Sequence, residues 1–136
     1  MANGFENLCV QSGVLPLAGD RIVLITARRS GRWIIPKGYV EKGMSPADSA
    51  AKEAWEEAGL TGRVHTQAIG KYSYSRPTGR FVVQVFPLEV ESVLEEWQEM
   101  HLRQRRLVTP SEAVEMLSNE ELRSLVAGYF NHRIVL

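Results

Sequence analysis

Residues 38–60 have the sequence GYVEKGMSPADSAAKEAWEEAGL, in which a loop with two glycines leads into an acidic helix. The signals at both ends predict a helix over about residues 46–58. Ser45 is a favourable N-cap because its hydroxyl can accept from a free backbone N–H, and Pro46 suits the first turn, where no N–H is needed. Gly59 favours termination because glycine readily adopts the left-handed conformation that caps a helix C-terminus.

Three glutamates lie on one face of this predicted helix. Glu53, Glu56 and Glu57 have the spacing i, i+3, i+4, which places their carboxylates side by side. A solvated acidic face is one interpretation of this pattern. The other is a divalent cation among the carboxylates, because Mg²⁺ prefers their oxygens as ligands and would offset their repulsion. A capped helix that follows a glycine loop favours the second interpretation and predicts a metal site.

A neighbouring face of the same helix is small and apolar. A surface of small residues lets a helix backbone approach a sheet closely. The residues of this face are Ala47, Ala50, Ala51, Ala54 and Ala58. We therefore expect the alanine face to dock on a sheet while the glutamate face is presented to a ligand.

Apolar and β-branched runs on either side of the helix predict strands. The runs are residues 8–18, 21–27 and 33–35 before the helix and residues 63–75, 80–90 and 103–108 after it. Helical spacing returns at residues 110–117 and 120–130. This order predicts an α/β (α+β) fold in which a mixed β-sheet has helices on both sides.

Composition is typical of a globular protein of one domain. The 136 residues are enough for a sizeable core, and 44% of them are hydrophobic. Lys plus Arg and Asp plus Glu both total 16, which argues against a nucleic-acid binder. The single Cys9 cannot form an internal disulfide, and no apolar run approaches the ~20 residues that span a membrane. We therefore expect one domain over residues 1–136, located in the cytoplasm, with no nucleic-acid or membrane partner.

The segment 38–60 resembles the Nudix box, G-x5-E-x7-R-E-U-x-E-E-x-G-U, in which U is an apolar residue. Gly38 matches the first glycine, and the later positions match Glu53, Ala54, Glu56, Glu57, Gly59 and Leu60. The resemblance identifies the chain as a member of the Nudix hydrolases. It implies an α/β/α sandwich and a Mg²⁺ or Mn²⁺ cofactor. The implied metal ligands are Glu53, Glu56, Glu57 and the Gly38 carbonyl, with Glu56 and Glu53 as the catalytic residues.

Two positions depart from the box. Met44 stands where the pattern has a glutamate, and Lys52 stands where it has an arginine. In the family these two side chains can approach each other, so the joint replacement resembles one coupled change. Met44 is a poor ligand for Mg²⁺, which leaves the three helix glutamates to bind the ion. Lower activity or an altered metal requirement is one expectation from this departure.

A second resemblance, over about residues 10–130, is to diphosphoinositol polyphosphate phosphohydrolases and dinucleoside polyphosphate hydrolases. Residues 33–38 (WIIPKG) are similar to the W-x-x-P-K-G segment of that branch. Trp97, with arginines six and eight residues later, is similar to its W…R-x-R segment. Arginine suits phosphate because its guanidinium forms two parallel hydrogen bonds, although a solvated surface charge is the alternative for each one. The candidate polyphosphate contacts are Arg28, Arg29, Lys37, Arg103 and Arg105.

The activity that these resemblances imply is Mg²⁺-dependent hydrolysis of a pyrophosphate bond in a small polyphosphorylated substrate. A dinucleoside polyphosphate and a diphosphoinositol polyphosphate are the favoured examples. One alternative is an ADP-ribose or nucleoside-triphosphate pyrophosphatase. Another, motivated by Met44, is a catalytically weak binding module with the Nudix fold, and the three retained glutamates argue against it. The sequence leaves the substrate and the oligomeric state open.

Overall fold

Eight strands and three helices make up residues 8–134, the part of the chain whose backbone the computed structural model describes; side chains are described for residues 8–131. The strands are β1 (Leu8–Ala18), β2 (Arg21–Thr26), β3 (Trp33–Ile34), β4 (Lys37–Tyr39), β5 (Leu60–Val64), β6 (Gly70–Arg76), β7 (Gly79–Val93) and β8 (Arg105–Val108). The helices are α1 (Pro46–Ala58), α2 (Pro110–Met116) and α3 (Glu120–Ile134).

The strands form one mixed sheet, which confirms the predicted fold class. Their order is β3-β2-β1-β7-β5, with β4 paired to β1, β6 to β7 and β8 to β2. β1 and β7 are parallel, from Leu8 opposite Arg80 to Leu17 opposite Glu89, and the other named pairs are antiparallel. A parallel pair needs a long crossover connection, and here that connection contains α1.

Apolar clusters fill both faces of the sheet. Leu15 belongs to the cluster that includes Leu122 of α3, whereas its neighbour Val14 belongs to the cluster that includes Ala50 and Ala54 of α1. Successive strand side chains point to opposite faces, so β1 contributes to both layers of core. The helices therefore cover the two faces of the sheet in an α/β/α arrangement.

Helix α1 has the limits that its sequence predicts. The Ser45 hydroxyl accepts from the Asp48 amide at 3.0 Å, and Gly59 ends the helix with a φ of 66°. Ala50 and Ala54 are fully buried against the sheet, as the alanine face predicts. Docking of the alanine face thereby fixes the position of the glutamate face relative to the sheet.

The prediction of one strand over residues 63–75 is wrong. Two strands occupy that region, because the 15-residue β7 pairs with β6 along its first part and with β5 along its last part. β5 begins at Leu60, directly after the helix, and bulges between Thr61 and Gly62. The predicted glycine loop also begins later, because β4 includes Gly38 and pairs with β1.

In the described part of the chain, no helix is both long enough and apolar enough to cross a bilayer. The cytoplasmic location that the single Cys9 favours stays a prediction.

Candidate active site

Gly38 leaves the space that the carboxyl group of Glu53 occupies. A Cβ at Gly38 would lie 2.3 Å from Glu53 Cδ and 2.5 and 2.6 Å from its two oxygens. Gly38 is not among the described glycines with positive φ. Glycine is therefore required here for close approach of a side chain rather than for an unusual backbone conformation.

Glu57 is buried at the junction of α1 and β4. The Lys37 amide donates to its Oε1 at 3.3 Å, and Arg103 Nη2 lies 3.2 Å from its Oε2. Burial raises the pKa of Glu57 to about 7, and the Arg103 charge opposes that shift. Burial also raises the pKa of Glu53 to about 7, with the negative charge of Glu57 as the next cause. Glu53 and Glu57, two of the predicted metal ligands, are thus acids whose ionised forms are disfavoured by burial.

Lys52 has an acidic partner, although Met44 removes the one that the Nudix pattern supplies. Lys52 Nζ lies 2.6 Å from Glu41 Oε2 and 3.8 Å from Glu56 Oε2. The loop acid therefore comes from three residues before Met44. Sequence reasoning missed Glu41, and its position in the same loop was the available signal. Although Met44 replaces the glutamate of the box, Glu41 supplies a carboxylate to Lys52 in its place.

Arg103 links the helix acids to the segment that precedes β8. Its Nε lies 2.9 Å from Glu99 Oε1, and its Nη1 donates to the Thr26 carbonyl at 3.0 Å. Only 8% of the Arg103 side chain is exposed. The structure therefore brings Glu99 close to Glu57 through a shared cation.

Carboxylate oxygens are the donors that the site offers to a metal. Within the described residues no three His, Cys, Asp or Glu side chains converge as a metal centre. Glu57 is paired with Arg103, and Glu56 lies toward Lys52. The chemistry nevertheless fits a hard divalent cation, because the donors are all oxygens. Burial raises the pKa values of Glu53 and Glu57 to about 7, and a cation bound between them would favour their ionised forms.

A cleft of about 1300 Å³ opens beside Glu57. Its walls come from the β2–β3 turn, the β6–β7 turn and the α2–α3 connection. Of the described residues that line it, six are cationic: Arg28, Arg29, Arg32, Lys37, Arg76 and Arg103. The predicted contacts Arg28, Lys37 and Arg103 are therefore brought together. Sequence reasoning missed Arg32 and Arg76, whose signal was a basic residue in or beside a turn.

Lys37 lines the cleft and is held by the aromatic residue Tyr74. Its Nζ donates to the Tyr74 hydroxyl at 3.0 Å and lies 4.6 Å from the centre of that ring. The Tyr74 hydroxyl in turn donates to Gln11 Oε1 at 2.7 Å, and the ring stacks on Phe81 at 4.9 Å. Burial lowers the pKa of Lys37. The ammonium group is therefore directed by a network that extends into the sheet.

Arg105 does not line this cleft, which corrects the predicted grouping. Its Nη1 donates to the Ala58 carbonyl at 2.8 Å, and its guanidinium lies 3.9 Å from the centre of the Trp97 ring. The Ala58 carbonyl at the end of α1 thus accepts from this guanidinium, and the contact is between residues far apart in the sequence. The W…R-x-R spacing could not distinguish an arginine in the cleft from one that binds a helix end.

Known proteins resemble this chain in sequence and in fold. The chain is 35% identical over 115 residues to Nudix hydrolase 21, chloroplastic, of Arabidopsis thaliana, covering 82% of this chain and 58% of that protein. It is 30% identical over 81 residues to diphosphoinositol polyphosphate phosphohydrolase 3-beta of Bos taurus, covering 59% of this chain and 48% of that protein. The chain thus spans about half the length of the curated relatives that it matches.

The fold is shared with a solved structure described as a C. elegans Ap4A hydrolase binary complex. The TM-score is 0.75 over 91% of this chain and 96% of that one, at 18% identity. The family model of the NUDIX domain matches residues 9–128. With that match over most of its length and Glu53 of the box packed against Gly38, the chain belongs to the NUDIX family.

Proposed function

We propose that the chain is a single Nudix domain that hydrolyses a phosphoanhydride bond in a small polyphosphorylated molecule, with Mg²⁺ or Mn²⁺ as cofactor. The observation that carries this proposal is a local concentration of positive charge. Among the described residues, six cationic side chains and one carboxylate line the cleft, although the net charge of the chain is zero. That carboxylate is Glu57, so the surface that attracts phosphate ends at the acidic cluster.

The residues of the cluster have separate roles in the proposed reaction. Glu53, Glu56, Glu57 and the Gly38 carbonyl would hold the ion, which when bound supplies Lewis-acid polarisation of a phosphoryl oxygen and a more acidic attacking water. Glu56 or Glu53 accepts the proton from that water. Arg28 and Lys37 neutralise and orient the substrate phosphates.

The aromatic rings of the cleft support recognition by charge. Tyr74 has Phe81 against it and Lys37 beside it, and Tyr72 is 4% exposed. Trp33 packs against the core and has Arg106 5.9 Å from its ring centre. Because each ring that lines the cleft already has neighbours, stacking of a nucleobase is disfavoured. Among polyphosphorylated substrates we therefore favour a diphosphoinositol polyphosphate, with a dinucleoside polyphosphate as the second candidate.

A substrate panel tests this proposal. Purified protein is incubated with a diphosphoinositol polyphosphate, diadenosine tetraphosphate, ADP-ribose and deoxynucleoside triphosphates, each with Mg²⁺ or Mn²⁺. Phosphate-containing products are measured for the wild type, for Glu57→Gln and for the matched control Glu91→Gln, which neutralises an exposed carboxylate on β7. We expect turnover of a polyphosphate by the wild type and the control, and its loss in Glu57→Gln.

Each other outcome has a defined meaning. Tight binding without turnover of any substrate would favour the binding module over the enzyme. Preference for ADP-ribose or a triphosphate would replace the proposed substrate class and keep the reaction. Equal turnover by the wild type and Glu57→Gln would refute the assignment of the site.

A further inference from the structure

The end of helix α1 is held by one segment of the chain, residues 94–105. Helix C-termini leave carbonyl oxygens without partners inside the helix. Here the carbonyls of residues 56–59 each accept a hydrogen bond from this segment. In that order, the donors are the Glu99 amide (3.2 Å), the Trp97 indole (2.9 Å), the Arg105 guanidinium (2.8 Å) and the Leu94 amide (2.8 Å).

Trp97 and Arg105 form the centre of this contact. The Arg105 guanidinium lies 3.9 Å from the centre of the Trp97 ring, so each side chain supports the other against the helix end. Gly59 fits beneath them without a side chain, since a Cβ there would lie 2.8 Å from Trp97 Cβ and 2.9 Å from Arg105 Nη1. A cation at a helix C-terminus also interacts favourably with the helix dipole.

The same segment carries two groups into the acidic cluster. Glu99 follows Trp97 by two residues, and Arg103 precedes Arg105 by two residues. Arg103 pairs with Glu57 at 3.2 Å and with Glu99 at 2.9 Å. The hydrogen bonds to the helix end therefore act with the bond from Arg103 Nη1 to the Thr26 carbonyl to place Glu99 and Arg103 relative to Glu57.

We propose that Trp97 and Arg105 are positioning residues, which fix the segment 94–105 against the end of α1 and thereby place Glu99 and Arg103 at the helix glutamates. The role rests on the proposed function, because it concerns the geometry of that reaction. It differs from the phosphate contact that the sequence predicts for Arg105, and the two roles change different kinetic constants. A phosphate contact acts on KM, whereas a positioning residue acts on kcat.

The variants are Arg105→Met and Trp97→Phe, which remove the donors to the helix end and keep much of the side-chain volume. Arg106→Met and Trp55→Phe are the matched controls, because both side chains are exposed and neither is a donor to the carbonyls of residues 56–59. Arg105→Lys tests rescue, since the lysine ammonium keeps the charge and can donate to the helix end but cannot stack as a guanidinium does. Kinetics are measured well below the melting temperature of each variant.

We expect kcat to fall about tenfold or more in both variants with KM within about twofold, because small misplacements of catalytic groups are costly. Arg105→Lys should recover part of kcat, and the controls should match the wild type. Hydrogen exchange of the Glu99 and Leu94 amides should quicken by about tenfold or more without any substrate present.

A higher KM with unchanged kcat would overturn the proposal and restore Arg105 as a phosphate contact. A lower melting temperature with unchanged kcat and unchanged exchange at Glu99 would also overturn it, because the two residues would then serve stability alone. If the wild type turns over no substrate of the panel, the proposed function fails separately. Exchange at Glu99 then decides whether the two residues fix the segment.

Discussion

Replacing Gly38 with alanine should separate activity from stability. The added Cβ would lie 2.3 Å from Glu53 Cδ, whereas carbon atoms in contact are about 3.5–4 Å apart, so the carboxyl group must move by more than ~1 Å. Glu53 is the mobile partner, since its carboxyl is the far end of a flexible side chain. A misplacement of ~1 Å costs about 10²-fold in rate, and we expect a loss of kcat of that order.

The expected effect on folding is small. Gly38 is not among the glycines with positive φ, and Gly→Ala at such a position stabilises by about 0.4–1 kcal/mol through the unfolded state. Displacement of Glu53 opposes that gain, so the free energy of unfolding should stay within about 1 kcal/mol of the wild type.

The assay combines turnover of the best substrate with urea unfolding of the same preparations. Gly128→Ala is the control, because a Cβ there meets no atom within 4 Å apart from its chain neighbours and the backbone of its own helix. Wild-type kcat in Gly38→Ala, with unchanged stability, would show that the reaction does not need the Glu53 carboxyl beside Gly38. Global unfolding would show that Glu53 cannot yield and that the contact is a requirement of the fold.

Two further predictions concern the charges of the site. Without metal, the melting temperature should fall as pH rises between about 5 and 8. The pKa values of Glu53 and Glu57 are about 7 in the folded protein, against an ordinary value of 4.5, so the folded state holds their protons more tightly than the unfolded state does. The stability that these protons contribute is lost as the two carboxyl groups ionise. Differential scanning fluorimetry with and without Mn²⁺ checks this, and a melting temperature that rises over that range in metal-free protein would contradict it. Arg28→Met should raise KM by about three- to tenfold with unchanged kcat, and less at high salt, because Arg28 is an exposed charge in the cleft. Steady-state kinetics at two salt concentrations test this against Arg21→Met, outside the cleft, and an equal effect of both variants would exclude a local contact.

Helix α1 was predictable because its signals are local. The hydroxyl of Ser45 and the left-handed Gly59 act within one helical turn, and both are observed at the predicted positions. The glutamate face follows from helical spacing alone, without knowledge of the rest of the molecule.

The strands after α1 were less predictable because pairing decides them. Residues 63–75 show imperfect alternation, and the long β7 divides that region into β5 and β6 by pairing with both. Likewise, the shorter ion pair of Lys52 forms because the loop returns Glu41 to the helix. Such contacts depend on which segments meet, which local periodicity does not encode.

The sequence by itself determined the acidic helix, its limits, its family and the oxygen chemistry suited to a divalent cation. The tertiary structure alone decided which cations lie beside that helix. It brought Arg28, Lys37, Arg76 and Arg103 from separate segments into one cleft, and it placed Arg105 on the helix end. Charge in a sequence is only a count, whereas binding depends on where the folded chain gathers that charge and which of its donors are already occupied.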